Sequence, residues 1–355
     1  MTIYLHAGLH KTGTTAIQHY SYMHRKLLKK KGVLYPVFYR SLFKKDKGHQ
    51  YFSHAFSSQT DSAPISEGKL LAYSWTSKAR RYNLDLLISA EPICRQTYSL
   101  KNCSWVQARQ QYLERLAESL PPEQTRVILT LRRQDDFVQS LYKELVMKGV
   151  PPQAKISFEK FLGQTQKKSL RFYDNIMVFK KIFPDTQILT YDQLCNGDLP
   201  VNFFKALGIT GLPNSGETVR KSLSNEEATL KQRLNDQIHS KDQNKKLLDW
   251  LKSDNTQRVI KTMIPTIYHF WDSNNERNKF LDKYSSENQK IKQNFFKDQT
   301  ALFPHNQYSN YAPPENSQNL HDGIENAIEA LSTGIKDLFG EDGLINIKRK
   351  LERTR

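Results

Sequence analysis

The chain has 355 residues, enough for one large α/β unit or two smaller ones with a sizeable core. Its 53 Lys and Arg against 36 Asp and Glu leave a net charge of +17, more than a bound nucleotide requires, so the surplus acts on solubility or draws in acidic partners such as glycans or lipids. Hydrophobic content of 38% and a mean hydropathy of −0.67 predict a polar insertion or appendage; no apolar run reaches membrane-spanning length, and the 10 His and 3 Cys show neither a zinc spacing nor a disulfide framework.

In chain order, Ile3, Tyr4 and Leu5 read as a buried strand. Its immediate start lacks the charged-then-apolar pattern of a secretory signal, and a cytoplasmic place is expected. His6 beside it is expected to be packed or hydrogen-bonded structure. Gly8-Leu9-His10-Lys11-Thr12-Gly13-Thr14-Thr15 follows, and Ile17, Tyr20, Leu27 and Leu28 then recur at helical spacing up to a stop at Gly32. A glycine-containing turn that opens a helix exposes unpaired N–H groups at the positive end of the dipole, and Lys11, Thr14 and Thr15 add a cation and hydroxyls. The segment is an oxyanion cradle by chemistry. It differs from the nucleotide-triphosphate loop, in which lysine follows the second glycine; here Lys11 precedes Gly13.

Lys26, Lys29, Lys30 and Lys31 close the first helix, where the dipole favours cations. A second strand is predicted near 33–36. The polar insertion after it holds Lys44, Lys45 and Lys47, placed to meet a substrate, and His49 and His54, either of which is within reach of an acceptor there, although a lone loop histidine more often faces solvent. Leu86, Leu87 and Ile88 give the next strand, ended by Pro92; Glu91 beside it is a candidate general base, with His10 as its rival. Val127 to Leu131 form another strand, which ends in Arg132 and Arg133 instead of the acidic residue a magnesium site wants, so no metal is expected. Ser140 lies eight positions after Arg132, on the next helix. A last strand is predicted near 187–190. Alternating strands and helices indicate α/β architecture with a central parallel sheet, and from about Asn225 the chain turns helical, with Phe280, Tyr284, Ile291 and Phe295 as core. Residues 304–317 read as a linker; 318–355 read as an amphipathic helix carrying Leu320, Ile324, Ile328, Leu331, Ile335 and Leu338, which docks back or binds a partner, and a basic tail that frays from Lys348.

His10-Lys11-Thr12-Gly13-Thr14-Thr15 resembles the 5′-phosphosulfate loop of sulfotransferases that use 3′-phosphoadenosine 5′-phosphosulfate (PAPS), in particular the bacterial members with H-K-T-G-T-T. Arg132 with Ser140 matches the arginine and serine with which that family grips the 3′-phosphate. Ile188 to Leu194 and then Leu199 to Gly208 look like later fold markers of bacterial members, and Arg220-Lys221-Ser222-Leu223-Ser224 resembles the segment that folds over the adenosine, though the R-K-G-x-x-G-x-x-K form is lacking. The resemblance spans residues 2–303 and implies a three-layer, P-loop-like fold. It also implies PAPS as co-substrate, held by Lys11, Thr12, Gly13, Thr14, Thr15, Arg132, Ser140, Arg220 and Lys221. Transfer of the sulfuryl group to a hydroxyl or amine, first of all on a glycan, is the expected activity, and a glutamate after a strand, here Glu91, is the base in several members. Two other readings stand beside it: an atypical metal-dependent kinase, and a basic module binding nucleic acid or an anionic membrane without chemistry. No stacking signature supports nucleic acid, so none is expected as partner, whereas peripheral membrane contact stays open.

Overall fold

The structure is a computed structural model that describes residues 1–41, 44–57, 64–98, 103–164, 170–216, 222–267, 270–303 and 317–352, the side chains of 39–41, 44, 45, 317 and 318 excepted. Its strands are β1 (Ile3–His6), β2 (Val33–Leu34), β3 (Phe38–Ser41), β4 (Lys44–Asp46), β5 (Asp85–Ser89), β6 (Thr125–Leu131) and β7 (Thr186–Thr190). Five of them form one sheet in the order β2-β5-β1-β6-β7, parallel throughout. The chain divides by contact density into two units: Met1–Arg133, Lys167–Arg220 and Tyr284–Pro304 form the first, and Gln134–Gln166, Lys221–Lys283 and His305–Arg355 the second.

The first unit has three layers because its strands are apolar on both faces. Side chains alternate across a pleated strand. On one face Ile3, Leu5, Leu86, Ile88, Val127, Leu129 and Leu131 join a core with Trp75, Tyr112, Leu113, Phe172 and Phe179 from three helices, Ile65–Arg81, Trp105–Ala117 and Phe172–Ile182. On the other, Tyr4, Leu87, Ile128 and Leu189 pack with Ile17 and Tyr20 of helix α1 (Thr14–Met23) and with Phe203 and Phe204 of the Leu199–Ala206 helix. Covering both faces is what a parallel sheet requires. The expected strands all form, within a residue or two of their predicted bounds. The helix predicted up to Gly32 breaks at His24 into α1 and Arg25–Lys30, and Gly32 takes φ +86 as the stop.

The second unit is helical among its described residues. Its core joins Leu230, Leu234, Leu247, Leu251, Ile260 and Ile264 to Ile324, Ile328, Leu331, Ile335, Ile347 and Leu351. This places the boundary differently from the expected 1–303 body with an appended tail: the terminal segment is core of a unit that already takes in residues 134–166. Its stripe continues over two helices, Ser317–Ala330 and Ser332–Glu352, the second kinked at Gly340, instead of one. The expected fraying from Lys348 does not occur over the described residues, since the helix runs to Glu352 and Leu351 is buried. Residues 304–316 lie outside the described set. The boundary between the units also falls inside the Asn274–Phe295 helix, whose Ile291 is core of the first unit.

Within the second unit, Lys231 is fully buried, and its ammonium donates to Asn235 Oδ1 (2.7 Å) and Asn244 Oδ1 (2.8 Å). Burial pushes its pKa down to about 7. The unfolded chain therefore holds this proton through the alkaline range where the folded chain has released it, so stability rises as pH climbs from about 7 toward the free lysine value of about 10.4. Removing the amine in Lys231→Met is expected to flatten that rise, checked by thermal midpoints of both proteins at about pH 7 and about pH 9.

Candidate functional site

The site forms at the carboxyl edge of the first unit's sheet. The chain leaves β1 toward β2 on one side, and the link from β5 to β6 crosses to the other, so β1 lies at the reversal where open α/β sheets bind ligands. The loop after β1 keeps to the β6 side at first, with Ala7 N–H donating to Ile128 O (3.1 Å) and Leu9 N–H to Thr130 O (3.2 Å). It then turns sharply. Gly8, Lys11 and Gly13 all take positive φ, +73, +63 and +80. A lysine held in the left-handed region is a strained residue, and such strain concentrates at ligand sites.

Gly13 caps α1 without a side-chain bond, and the first helical hydrogen bonds run from Ala16 and Ile17 N–H to Gly13 O at 2.9 and 3.1 Å. The N–H groups of Gly13, Thr14 and Thr15 therefore precede the ladder and face outward at the positive end of the dipole. Thr15 is exposed, and Lys11 is half-buried. Thr14 is 3% exposed, yet its Oγ1 has no hydrogen-bond partner among the described residues, a deficit worth about 1–3 kcal/mol in a folded protein. Thr12 is different. Its buried hydroxyl donates to Leu9 O at 2.6 Å and shapes the loop from within.

Both other edges of β1 bring chemistry to this loop. Register pairs His6 with Ser89, and Ala90 N–H donates to His6 O (3.0 Å), so the residue after Ala90 emerges beside the cradle. There Glu91 Oε1 bonds His10 Nδ1; a carboxylate only accepts, so Nδ1 carries the hydrogen. The two residues expected to compete for one role are partners. A point one bond from Gly8 Cα, where a side chain would begin, lies 3.1 Å from Thr14 Oγ1 and 3.7 Å from Glu91 Cγ, so the missing side chain lets hydroxyl and carboxylate converge. From β6, Arg132 Nη1 donates to Lys11 O at 3.0 Å, with the guanidinium 4.6 Å above the Tyr191 ring. Tyr191 follows β7 directly, and burial raises its phenol to about 12, which keeps the ring neutral at physiological pH. Its role as a platform for Arg132 was not legible in the sequence, where it counted only among the later fold markers.

Ser140 stands on the Gln134–Lys148 helix of the second unit with a buried side chain, so the site described here is built from the first unit alone. Arg220 and Lys221 lie outside the described residues. His49 faces neither solvent, as a lone loop histidine more often does, nor an acceptor, but the core. It is 2% exposed, its Nε2–H donates to Pro36 O (2.9 Å), its Nδ1 accepts from Ser89 N–H (2.9 Å), and burial lowers its pKa to about 4. His54 Nδ1 accepts from Gln96 Nε2 at 2.8 Å. His6 is buried as expected, shares a 2.9 Å hydrogen bond with the Ser89 hydroxyl, and titrates near 3 because of that burial. The side chains of Lys44 and Lys45 are outside the described set, and Lys47 Nζ donates to His19 Nδ1 (2.9 Å) on α1. Cys94, Cys103 and Cys195 are free thiols.

The turn at Gly13 is tight against a neighbour: a side-chain carbon there would sit 2.6 Å from Leu199 Cδ1, and φ +80 disfavours any L-residue. Gly13→Ala should lose about 1–2 kcal/mol from the backbone alone, read as a lower thermal midpoint. Leu199→Ala combined with it relieves the contact but not the φ, so the midpoint should stay depressed.

Comparison with known proteins adds no relative: no family model matches the chain, and neither does any curated protein or solved structure.

Proposed function

We propose that the chain is a PAPS-dependent sulfotransferase of three-layer, P-loop-like fold, acting on an acceptor hydroxyl or amine, with glycan hydroxyls first among acceptors. The observation that carries the reading is the meeting, at one sheet edge, of an oxyanion cradle with a buried Thr14 hydroxyl, unpartnered among the described residues, and the Glu91–His10 pair. A bound PAPS supplies a sulfuryl group on a phosphate leaving group. The outward N–H groups of Gly13, Thr14 and Thr15, with the Thr14 hydroxyl, hold the 5′-phosphate. Lys11 neutralises the charge that grows on its bridging oxygen as the S–O bond breaks. Glu91, with His10 bonded to it, takes the proton of the acceptor as its oxygen bonds to sulfur. Arg132, braced on Tyr191, holds Lys11's carbonyl and offers its remaining donors to a second phosphate.

Calorimetric titration of the full chain with adenosine 3′,5′-bisphosphate, ATP and 5′-AMP tests the donor. The bisphosphate should bind at least tenfold more tightly than 5′-AMP, and transfer of labelled sulfate from PAPS should persist in EDTA. Tighter binding of ATP with a magnesium requirement would instead assign a kinase.

A further inference from the structure

The opposite edge of the first unit's sheet carries a concentration of positive charge for which the donor site has no use. No Asp or Glu occurs in residues 1–45, nor between Glu67 and Asp85. Two helices from these stretches, Arg25–Lys30 and Ile65–Arg81, end where β2 and β5 begin. Those strands are neighbours, with Val33 opposite Asp85 and Asp85 N–H donating to Gly32 O at 2.8 Å, so the two helix ends meet. The sheet is parallel, which puts this edge at the far end of the strands from the cradle.

Lys26, Lys29, Lys30 and Lys31 are exposed on the first helix end, and Lys78, Arg80 and Arg81 on the second. None of the seven forms an ion pair among the described residues. Asp85, the nearest acid in sequence, accepts instead from Thr2 N–H at 2.6 Å. A helix dipole accounts for a cation or two in a last turn. Arg80 donates to Gln124 Oε1 at 3.2 Å, beside Glu123, but seven cations on one edge still repel one another, and an external anionic surface relieves that repulsion. The uncharged side chains among them set the chemistry of that partner. Tyr82 is 48% exposed under Lys29 Nζ, which sits 4.2 Å over its ring, and Met23, at the end of α1, is 58% exposed. A tyrosine and a flexible apolar side chain amid lysines match the headgroup boundary of a bilayer, where rings and thioethers enter the interfacial layer and ammonium groups stay with phosphate.

We infer that this edge docks on an anionic lipid surface. The lysines and arginines engage lipid phosphates and carboxylates, Tyr82 and Met23 settle into the interfacial layer, and the cradle faces away from the bilayer. The inference is independent of the donor reading and stands or falls by a separate measurement.

Co-sedimentation of the full chain with phosphatidylcholine vesicles, with and without phosphatidylglycerol, provides that measurement at low and high salt. Retention should need the anionic lipid. Each cation near such a surface is worth about fivefold in partitioning, so Lys29→Ser with Lys30→Ser and Lys31→Ser should lower it about 100-fold at low salt. The control triple Lys241→Ser, Lys245→Ser and Lys246→Ser removes the same charge from exposed positions of the second unit and should lower it far less. Tyr82→Ser should reduce retention severalfold at high salt, where lysine contributions are screened. Equal losses from both triples, retention on neutral vesicles alone, or no retention would overturn the proposal. So would a patch triple that weakens binding to duplex DNA while leaving vesicle binding intact.

Discussion

Lys11→Ala should lower the rate of sulfuryl transfer by about 10²–10³, the effect of removing one preorganised donor from the position where charge develops. Binding of adenosine 3′,5′-bisphosphate should change much less, because the N–H groups of the turn and the Thr14 hydroxyl remain. Arg132→Ala provides the contrast. Its guanidinium hydrogen-bonds the loop through Lys11's carbonyl, and among the described residues its other donors make no hydrogen bond and can meet the nucleotide, so its loss should fall chiefly on affinity. Single-turnover rates and calorimetric affinities for the two variants separate these effects. Equal and mild losses in both would reject the division of labour. The left-handed backbone of residue 11 sharpens the comparison: Lys11→Gly removes the ammonium while relieving φ +63, and should be as inactive as the alanine variant yet no less stable.

Glu91→Gln is the second large effect. The amide keeps the size of the carboxylate and can still bond the His10 ring, but it cannot take a proton, and a positioned general base contributes about 10²–10⁴ in rate. The expected result is a loss of that order in transfer, with donor affinity unchanged within a fewfold. His10→Asn should lose less, since Glu91 remains, and the double variant should be little worse than Glu91→Gln because the two act as one bonded pair. Additive losses would mean that they act separately.

The sheet was legible because buried parallel strands leave short apolar runs, and Leu86 to Ile88 and Val127 to Leu131 admit no other reading once bounded by Pro92 and the Arg132 pair. Strand order was not, since nothing in a run of Leu and Ile says which neighbour it takes. That order decides the site: Glu91 meets His10 across 81 residues only because β5 lies directly beside β1 in the register His6 to Ser89. The β3–β4 hairpin escaped notice because Lys44, Lys45 and Asp46 carry no apolar alternation. His49 looked like a loop residue for a similar reason. The rings of Tyr35 and Trp75 pack on it, and Pro36 and Ser89 satisfy its nitrogens, partners that lie apart in sequence.

Sequence continuity of the first unit bears on how the protein is made. Four of its five sheet strands, and with them the whole cradle, come from the first 133 residues, but β7 arrives after an excursion into the other unit, and Ile291, Leu302 and Phe303, which seal one apolar face, come last. On the ribosome the nascent sheet must wait with the β6 edge uncovered until β7 is made, just past the middle of the chain, and with part of that face uncovered until the final third has been synthesised. Truncated or stalled products should therefore be the forms that aggregate and engage chaperones, even where every residue of the cradle is already present.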